Sequence, residues 1–456
     1  MKFEQAIAYL ERRVNYENFQ NLPYSELMGR LGQLRKLLIE LKNPEKRFLT
    51  VHVAGTKGKG STCAMLQSIL RQAGYRVGSF SSPHLYSPLE RFVVDEMPCD
   101  AEEFGELMLS LRNRLESRKN IWDFTYFELT TLFAFEYFAR RQVDIAILEV
   151  GLGGRLDATN VCSPTVTVIT NISFDHTEQL GPTLESIATE KAGIIKPGIP
   201  LVAGPEDGNA ERVIQETAEA VGAPSYFLGE DFSVVPEESG ANPTFRFVPS
   251  PSSGTPFREV GALSMKLLGG HQRNNAALAI AGVQLLEDHL KIPVDVVRNG
   301  LAEAFLPIRV EQFRSAPDAP TFVVDGAHNR ASIRALILTL KDIRPFRKKF
   351  LLFGTSLGKD IEGMFAEILP FFDHIILTQH SSSPRRFPPQ GLLHILRLQQ
   401  LETTSGGAGS AAIEAEEDSL QAFEKCWNMA ETDDLVCVTG SMYLAAELRQ
   451  FFQSRG

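Results

Sequence analysis

The chain has 456 residues, of which 43% are hydrophobic and 22% are charged, a composition typical of a soluble globular protein with two or three domains. Its formal net charge of −10 argues against a general binder of nucleic acid or of acidic membranes, because both need a basic surface. The five cysteines are scattered and form no CxxC pair, which indicates a reducing compartment and no zinc site.

The first residues, MKFEQAIAYLERRV, form a charged amphipathic segment that differs from a signal peptide. No apolar run approaches the ~20 residues that a membrane-spanning helix needs, so we expect a cytoplasmic protein without membrane contact. Residues 1–47 have apolar positions at helical spacing, and we predict packing helices there that end at Pro44. One face of them carries Ile7, Leu10 and Val14.

The stretch 48–73, FLTVHVAGTKGKGSTCAMLQSILRQA, has the pattern of a buried strand, a glycine-rich turn and an amphipathic helix. Glycines in the turn let the backbone adopt positive φ and come close to a ligand. Several N–H groups can then point at phosphate oxygens at the helix N-terminus. We therefore predict a phosphate-binding turn, called the cradle below, formed by Gly55, Thr56, Gly58, Lys59, Gly60 and Ser61.

Two side chains of the cradle have roles of their own in this prediction. Lys59 would bring a positive charge to the β- and γ-phosphates of a nucleotide, and the Ser61 hydroxyl would hold Mg²⁺. The match to the P-loop pattern is imperfect, because Val53 occupies the place of its first glycine and Gly60 separates the lysine from the hydroxyl residue. The alternative, a flexible basic loop, does not explain why the turn joins a buried strand to an amphipathic helix.

A loop is predicted beside the cradle. YRVGSF predicts a second strand, and residues 81–95, SSPHLYSPLERFVVD, follow neither the helical nor the strand period. Loops beside a phosphate site often carry function, so Ser82 and His84 would face the nucleotide or its metal. The alternative is ordinary turn chemistry, which accounts for Ser-Pro by itself.

Strands that alternate with helices predict a parallel sheet in this part of the chain. Residues 100–119 and 123–141 have helical patterns, the second with an aromatic stripe that we assign to the core, while VDIAILEV and PTVTVITNI are buried strands. Ligands on such sheets bind at the carboxyl ends of the strands. Glu149 ends one strand, and Asp175 and His176 follow the next, so all three should lie near the cradle.

Three strand ends thus offer a hydroxyl, a carboxylate and an imidazole, from Ser61, Glu149 and His176. A few protein ligands with room for water and phosphate suit Mg²⁺, and one histidine is tolerated. We predict a metal site at this edge of the sheet. The alternatives are that Glu149 caps a turn and that His176 is an ordinary polar side chain.

The pattern continues to the end of the first predicted domain. Residues 182–198 predict a helix with Lys191 in its last turn, where a cation offsets the helix dipole. A strand and a helix are expected within 199–230 and a small antiparallel sheet within 231–262.

A glycine-led helix and a proline-rich break precede a second domain. GGHQRNNAALAIAGVQLLEDHL predicts the helix, and Asn275 near its start would cap it or contact a nucleotide. FLPIRVEQFRSAPDAP interrupts the pattern, so we divide the chain into domains 1–305 and 306–456. TFVVDGAHN, KKFLLFGTS, DHIILTQ and DLVCVTGS, separated by helices, predict a second doubly wound domain with a low-complexity loop at 400–419.

Together the motifs resemble the folylpolyglutamate synthase and dihydrofolate synthase family of the Mur ligase superfamily. The likeness covers nearly the whole chain and is carried by YLERRV, the cradle, SSPHLYSPLERFVV, EVGLGGRLDATN, FDHTEQLGPTLESIATEKAGIIKPG, GGHQRNNAALA, VVDGAHN and TGSMYLAAEL. The resemblance implies an N-terminal P-loop-type ATPase domain with a doubly wound, mostly parallel sheet and a smaller Rossmann-like C-terminal glutamate-ligase domain. It places the active site in the cleft between them.

The resemblance also implies roles for residues of the first domain. Gly58, Lys59 and Ser61 would bind the triphosphate and one Mg²⁺. Ser82, Glu149 and His176 would ligate metal on the substrate side, which makes two metal sites. Lys191 matches the lysine that is carbamoylated in this family, and its carbamate would lie beside the second metal.

Further positions match the family's nucleotide contacts. Asn275, Arg309 and Asp325 would contact ATP, with Asp325 and the catalytic His328 reaching over from the second domain. Two departures are present: Lys57 stands where GTNGKGS has Asn, and Ile308 stands where the family has Gly before Arg309.

The remaining expectations concern the substrates. Thr125, Phe127 and Asp157 fall where the family approaches the pterin side of its acceptor. The expected reaction joins L-glutamate to the carboxylate of a reduced folate or of dihydropteroate at the expense of ATP, through an acyl phosphate. We expect a monomer that binds small molecules and no nucleic acid.

Three other functions share part of this pattern. A peptidoglycan-precursor Mur ligase shares the reaction but uses a UDP-sugar acceptor, and SSPHL and DATN favour folate. A P-loop GTPase or motor would carry an NKxD run, which is absent. A nucleotide-binding protein without catalysis would not need Ser61, Glu149, His176 and Lys191 together.

Overall fold

The computed structural model describes residues 1–15, 29–116, 124–237, 244–251, 254–381, 385–403 and 411–454. The chain divides into a first unit, Met1–Lys266 with Gln272–Phe305, and a second unit, Leu267–His271 with Leu306–Gly456. Each unit is built around its own sheet.

The described part of the first unit contains an eight-stranded sheet in the order β4-β3-β2-β5-β1-β6-β7-β8. Its strands are β1 (Leu49–Ala54), β2 (Val77–Phe80), β3 (Phe92–Val94), β4 (Met97–Pro98), β5 (Ile145–Glu149), β6 (Val166–Ile169), β7 (Leu201–Ala203) and β8 (Ser225–Phe227). The six strands β2, β5, β1, β6, β7 and β8 are parallel to one another. At one edge, β3 pairs antiparallel with β2, and β4 pairs antiparallel with β3. The predicted, mostly parallel sheet is confirmed. Because β1 lies between β5 and β6, the end of β1 has Glu149 beside it, paired in register with Val53.

Helices cover both faces of this sheet, as the alternating pattern predicts. They are α1 (Phe3–Glu11), α2 (Arg30–Glu40), α3 (Lys59–Gln72), α4 (Ala101–Glu116), α5 (Tyr126–Arg140), α6 (Thr177–Leu180), α7 (Leu184–Ala192), α8 (Gly208–Ala220), α9 (Gly270–Gln284) and α10 (Val294–Glu303). A small antiparallel sheet, β11-β10-β9, is formed by β9 (Phe232–Glu237), β10 (Thr244–Pro249) and β11 (Val260–Leu263). It lies where the sequence predicts one.

Some local predictions need correction. The segment 81–95 is not a loop throughout, because Pro88–Arg91 forms a short 3-10 turn and β3 follows, pairing antiparallel with β2. Phe92 and Val94 are buried, and a strand of only three residues is too short for its alternation to be recognised. Val14 lies beyond the end of α1 and is exposed, and residues 117–123 of the predicted helices lie outside the described part of the chain.

The second unit repeats the doubly wound plan. Its described strands follow the order β12-β13-β17-β14-β15-β16, all parallel except β12. They are β12 (Glu311–Phe313), β13 (Thr321–Val324), β14 (Lys349–Phe353), β15 (His374–Leu377), β16 (Ala412–Ala415) and β17 (Leu435–Thr439). The helices are α11 (Arg330–Ile343), α12 (Ile361–Ile368), α13 (Pro389–Thr403), α14 (Ser419–Met429) and α15 (Met442–Gln453).

The predicted low-complexity loop at 400–419 is partly wrong. Helix α13 continues to Thr403, and β16 extends the sheet beside β15. Residues 404–410 of that prediction lie outside the described residues.

All five cysteines are free and buried. Within the described ranges, every helix is too short or too polar to cross a membrane.

Candidate functional site

The cradle turns directly from β1 into α3. Gly58 is the N-cap of α3 with φ +86°, and Gly55 has φ +147°, a region that residues with a Cβ avoid. A Cβ on Gly55 would lie 1.8 Å from Thr170 Oγ1, and one on Gly58 would lie 2.3 Å from Asn275 Oδ1. Both positions therefore require glycine. The predicted strand, turn and helix are present, and Asn275 of α9 lies against the turn.

Two lysine amines share a carbonyl group in the cradle. Lys59 Nζ donates to Gly55 O at 3.0 Å and to Thr56 O at 3.4 Å, while Lys191 Nζ donates to Gly55 O at 2.9 Å. A carbonyl is a neutral acceptor, so a phosphate oxygen would be a stronger partner for either amine.

Of these two lysines, Lys191 is the more deeply buried. It is 4% exposed, although it belongs to a residue type that is rarely buried. Burial, with the positive charge of Lys59 adding to it, lowers its pKa to about 7. A substantial fraction of this amine is therefore neutral near pH 7.

The loop after β6 is joined to the cradle by hydrogen bonds and an ion pair. Asn171 accepts from the backbone N–H of Thr56 through its carbonyl and from that of Lys57 through its side chain, both at 2.8 Å. The Thr56 hydroxyl exchanges hydrogen bonds with the backbone of Ser173 at 3.1 Å. Lys57 Nζ contacts Asp175 Oδ2 at 2.6 Å.

Sequence reasoning missed Asn171, and it placed Asp175 near the cradle without its ion pair to Lys57. The available signal was the polar run directly after a buried strand, NISFDH, next to the predicted phosphate site. Lys57 thus contributes an ion pair to the loop that carries His176, at a position where the family pattern has Asn.

The predicted metal ligands follow four neighbouring strand ends. Ser82 follows β2, Glu149 ends β5, Ser61 follows β1 in α3, and His176 follows β6. Ser61 and Glu149 are buried, whereas the His176 side chain is 58% exposed with Nε2 3.9 Å from Asp175 Oδ1. The sheet therefore brings these residues to one edge.

The donor set at that edge suits a cation that keeps most of its water. In the part of the chain that the structure describes, no three His, Cys, Asp or Glu side chains are grouped to hold a metal ion. Mg²⁺ needs few protein oxygens and takes the rest of its ligands from water and phosphate. A hydroxyl and one carboxylate beside a phosphate-binding turn fit that requirement.

Thr125 and Phe127 lie at the start of α5. The Thr125 hydroxyl accepts from Glu128 N at 3.1 Å, and Glu128 Oε2 accepts from Thr125 N at 2.8 Å, which caps the helix. Arg30 donates to both oxygens of Glu128 and holds the cap in place. The Phe127 ring packs on Gly151, where a Cβ would lie 2.6 Å from Cζ. Their contact with substrate stays a prediction.

Asp157 is buried in the loop that follows β5. Its Oδ2 accepts from Gly151 N and Leu152 N at 3.0 Å, and its Oδ1 accepts from Thr159 N at 2.9 Å and from Thr159 Oγ1 at 2.5 Å. Burial raises its pKa, against these hydrogen bonds. Four donors already use this carboxylate, so the structure gives Asp157 a loop-forming role, and its contact with the pterin stays a prediction.

In the second unit, Asp325 organises a turn. Its Oδ1 accepts from Ala327 N at 2.8 Å and its Oδ2 from Val310 N at 2.9 Å. Burial raises the pKa of Asp325, and the charge of Arg309 opposes that rise. Arg309 Nη1 donates to Ile308 O at 3.1 Å.

The backbone of the turn around Asp325 explains why the family pattern has glycine at position 308. Ile308 has φ +52°, in the left-handed region that a β-branched residue rarely adopts. His328 lies beyond β13 with Nδ1 2.9 Å from Gly326 O. The structure thus groups Arg309, Asp325 and His328 at the carboxyl end of β13.

Comparison with known proteins identifies the same two parts of the chain. The family model of the Mur ligase middle domain matches residues 53–283, and that of the Mur ligase, glutamate ligase domain matches residues 308–442. Together they cover most of the sequence.

Two curated relatives are similar over almost their full length. The dihydrofolate synthase/folylpolyglutamate synthase of Bacillus subtilis is 35% identical over 426 residues, covering 92% of this chain and 94% of the relative. The folylpolyglutamate synthase of Lacticaseibacillus casei is 30% identical over 459 residues, covering 99% and 98%. Among solved structures, Escherichia coli FolC in complex with DHPP and ADP superposes with a TM-score of 0.82 at 29% identity, covering 100% of this chain and 98% of that one.

Proposed function

The chain belongs to the folylpolyglutamate synthase and dihydrofolate synthase family of Mur ligases, and from this membership we propose how its own residues carry out the family's reaction. The enzyme is an ATP-dependent ligase that joins L-glutamate to the carboxylate of a pterin or folate substrate and releases ADP and phosphate. The roles assigned to individual residues below are proposals.

The cradle binds the triphosphate of ATP. Gly55 and Gly58 let the turn approach the phosphates, and the N-terminus of α3 directs N–H groups at them. Lys59 leaves the carbonyls of Gly55 and Thr56 for a phosphate oxygen. Asn275, which touches Gly58, borders the same nucleotide.

The reaction needs this positive charge for a chemical reason. A carboxylate is a poor acyl donor, so ATP first converts it to an acyl phosphate, which brings two anions together. Lys59 neutralises that repulsion and stabilises the charge on the transferring phosphoryl group. The amine of L-glutamate then attacks the acyl carbon and phosphate leaves.

Ser61, Ser82, Glu149 and His176 would hold Mg²⁺ in two sites. When bound, Mg²⁺ supplies charge neutralisation to the phosphates and acts as a Lewis acid toward the transferring group. Ser61 lies in the cradle itself, while Glu149 lies on the adjacent strand, paired with Val53.

Lys191 is proposed to carry a carbamate. Its neutral amine, favoured by the low pKa, attacks CO₂, forms an N–C bond and loses a proton to solvent. The product is an anion in a pocket that already holds Lys59. This exchange of charge removes the repulsion between the two neighbouring amines and creates an oxygen ligand on the metal side.

In the second unit, Arg309 and Asp325 are proposed to contact ATP and His328 to act in catalysis. Thr125, Phe127 and Asp157 are proposed to border the pterin, Asp157 by shaping its loop. We also propose that the enzyme works as a cytoplasmic monomer.

The observation that carries the proposal is that the amines of Lys59 and Lys191 both donate to the carbonyl of Gly55. This carbonyl lies in a turn where neither Gly55 nor Gly58 has room for a side chain. The test incubates the purified protein with ATP, L-glutamate and either dihydropteroate or tetrahydrofolate, and follows ADP and the glutamylated product. We expect product with at least one pterin. Product with a UDP-muramoyl acceptor and with neither pterin would overturn the assignment.

A further inference from the structure

The loop that follows β5 lies directly against the last turn of α7, which carries Lys191. A Cβ on Gly154 of the loop would lie 2.8 Å from Glu190 O, and a Cβ on Gly193, the C-cap of α7, would lie 2.3 Å from Arg155 Cβ. Atoms at these distances would overlap, so neither position has room for a side chain. The backbones of the loop and of the helix end are therefore in contact.

The loop also supplies hydrogen-bond donors to the end of α7. The last carbonyl groups of a helix have no intrahelical donor and need other partners. Here Arg155 N donates to Glu190 O at 2.7 Å, and Asn160 Nδ2 donates to Gly193 O at 3.0 Å. The same amide nitrogen donates to Arg155 O at 3.0 Å. The loop thus caps the helix end that carries Lys191.

The side chain of Asn160 joins three segments of the chain. It is 4% exposed, and its Oδ1 accepts from Lys196 Nζ at 2.6 Å, while its two amide hydrogens go to the carbonyls of Arg155 and Gly193. Two carbonyl acceptors and one ammonium donor fix which end of the amide is oxygen. No other side-chain type of this size offers both kinds of group, so replacing Asn160 leaves a buried carbonyl without its donor.

An ion pair adds to these contacts at the surface. Arg155 Nη2 donates to Glu190 Oε1 at 2.7 Å, and Arg155 Nε lies 3.1 and 3.3 Å from the two oxygens of that carboxylate. The Arg155 side chain is 41% exposed, so the ion pair contributes less than the buried amide. The contacts of Arg155 and Asn160 with Glu190 and Gly193 are called the clamp below.

The clamp connects Lys191 to a loop whose own shape is fixed. The loop begins after Glu149, the proposed Mg²⁺ ligand, and Asp157 binds four donors within it. From the clamped turn, the long side chain of Lys191 extends to Gly55 O at 2.9 Å. Such a side chain reaches a defined point only if its backbone is held, and a displacement of about 1 Å is enough to impair a catalytic group.

We propose that Asn160 is a positioning residue for Lys191. Through the clamp it holds the last turn of α7 where the Lys191 amine reaches the cradle and where its carbamate would lie beside Glu149. This inference rests on the proposed function, which assigns the carbamate to Lys191. Asn160 acts on the reaction only through the backbone of α7.

The main variant is Asn160→Asp in the full-length enzyme. The carboxylate keeps the shape and the oxygen that accepts from Lys196, but it cannot donate to Gly193 O. The bicarbonate concentration that gives half-maximal ligation should rise about fivefold or more, the factor expected for one lost hydrogen bond. The ¹³C carbamate signal at limiting bicarbonate should fall in parallel, and amide hydrogen exchange in residues 184–195 should become faster.

Two further variants control this result. Asn299→Asp makes the same change at an exposed asparagine of α10 and should leave all three measurements unchanged. Arg155→Gln removes the half-exposed ion pair and should shift them in the same direction by about twofold. If Asn160→Asp does not fold, Arg155→Gln decides the clamp, and a bicarbonate requirement equal to that of the unchanged enzyme would then overturn it.

A double variant separates positioning from a merely structural role. In Lys191→Ala rescued with acetate, adding Asn160→Asp should lower the rescued rate no further, because both changes act through one amine. A further fall, by the factor that Asn160→Asp shows alone at limiting bicarbonate, would mean that Asn160 acts elsewhere and would overturn the proposal. Faster exchange in α7 with an unchanged bicarbonate requirement would also overturn it, since the clamp would then serve stability alone.

The failure of this inference differs from the failure of the proposed function. If the unchanged enzyme ligates glutamate without a carbamate signal or a bicarbonate requirement, the carbamate assignment fails, and the rates of Asn160→Asp with and without the Lys191 side chain still decide the clamp. If the unchanged enzyme forms no product, the proposed reaction fails, and the carbamate signal and the exchange of α7 decide the clamp instead.

Discussion

At the carboxyl edges of the two sheets, charged side chains have different kinds of hydrogen-bond partner. At the first edge, Lys59 and Lys191 both donate to the neutral carbonyl of Gly55. At the second edge, the carboxylate of Asp325 has two backbone N–H donors and a turn built around it. A charged group with a weak neutral partner is ready to exchange it for a ligand, whereas a charged group with several strong partners shapes the backbone. The contrast predicts which substitutions damage activity and which damage stability.

Lys59→Ala is expected to have the largest effect, because it removes a charged group that has only neutral carbonyl partners. We expect ligation to be abolished, at least by about 10³-fold, because the transferring phosphoryl group loses its cation. Release of ADP and formation of glutamylated pterin measure it. Lys36→Ala, an exposed lysine of α2, is the control and should behave like the unchanged enzyme. Full activity of Lys59→Ala would defeat the assignment of the cradle.

Lys191→Ala should reduce turnover by about 10²-fold, since the carbamate would be absent. Short carboxylic acids such as acetate should restore part of the rate by supplying the missing anion. Labelled bicarbonate should give a carbamate signal by ¹³C NMR in the unchanged enzyme and none in the variant. An unaffected rate would remove the carbamate proposal.

The lowered pKa of Lys191 also fixes the direction of a pH effect. The neutral amine increases as the pH rises through about 7, so activity that depends on added bicarbonate should rise from pH 6 to pH 8. A lysine that acted as a cation would give the opposite slope, because its charge is lost over the same interval.

The sequence predicted the groups of the first edge better than their partners. Lys59, Ser61 and Glu149 were recognisable because a strand, a glycine turn and a helix are local patterns, and parallel strands place their ends together. The ion pair of Lys57 with Asp175 joins residues 118 positions apart, and periodicity carries no information about such contacts. The strand β12 was missed for a related reason, because a strand of three residues is defined by its pairing with β13.

Asp157→Asn tests the structural role of a carboxylate at the first edge, where Asp157, like Asp325 at the second, has several hydrogen-bond donors around it. An amide cannot accept from all four donors that surround this carboxylate, so a buried donor is left unpaired. We expect the free energy of unfolding to fall by about 1 to 3 kcal/mol in urea titrations, with KM for the pterin changing only as the loop loosens. Asp207→Asn, at the half-buried N-cap of α8, is the control and should cost less. Unchanged stability with a large rise in KM would make Asp157 a direct substrate contact.

Substitution of Lys57 should have the smallest effect, yet it tests the contrast most sharply. This lysine lies in the cradle but has a carboxylate partner. By the contrast drawn above it should act as a clamp on the loop of His176 rather than as a third phosphate ligand. The pair is about one-third exposed on both sides, so its own contribution is at most about 1 kcal/mol. Lys57→Asn and Asp175→Asn should therefore raise KM for ATP by the same few-fold factor, and the double variant should be no worse than either, since both changes remove one interaction. If Lys57→Asn alone raised this KM, and did so equally with Asp175 present or replaced, Lys57 would bind phosphate directly and a charged partner would no longer mark a structural role.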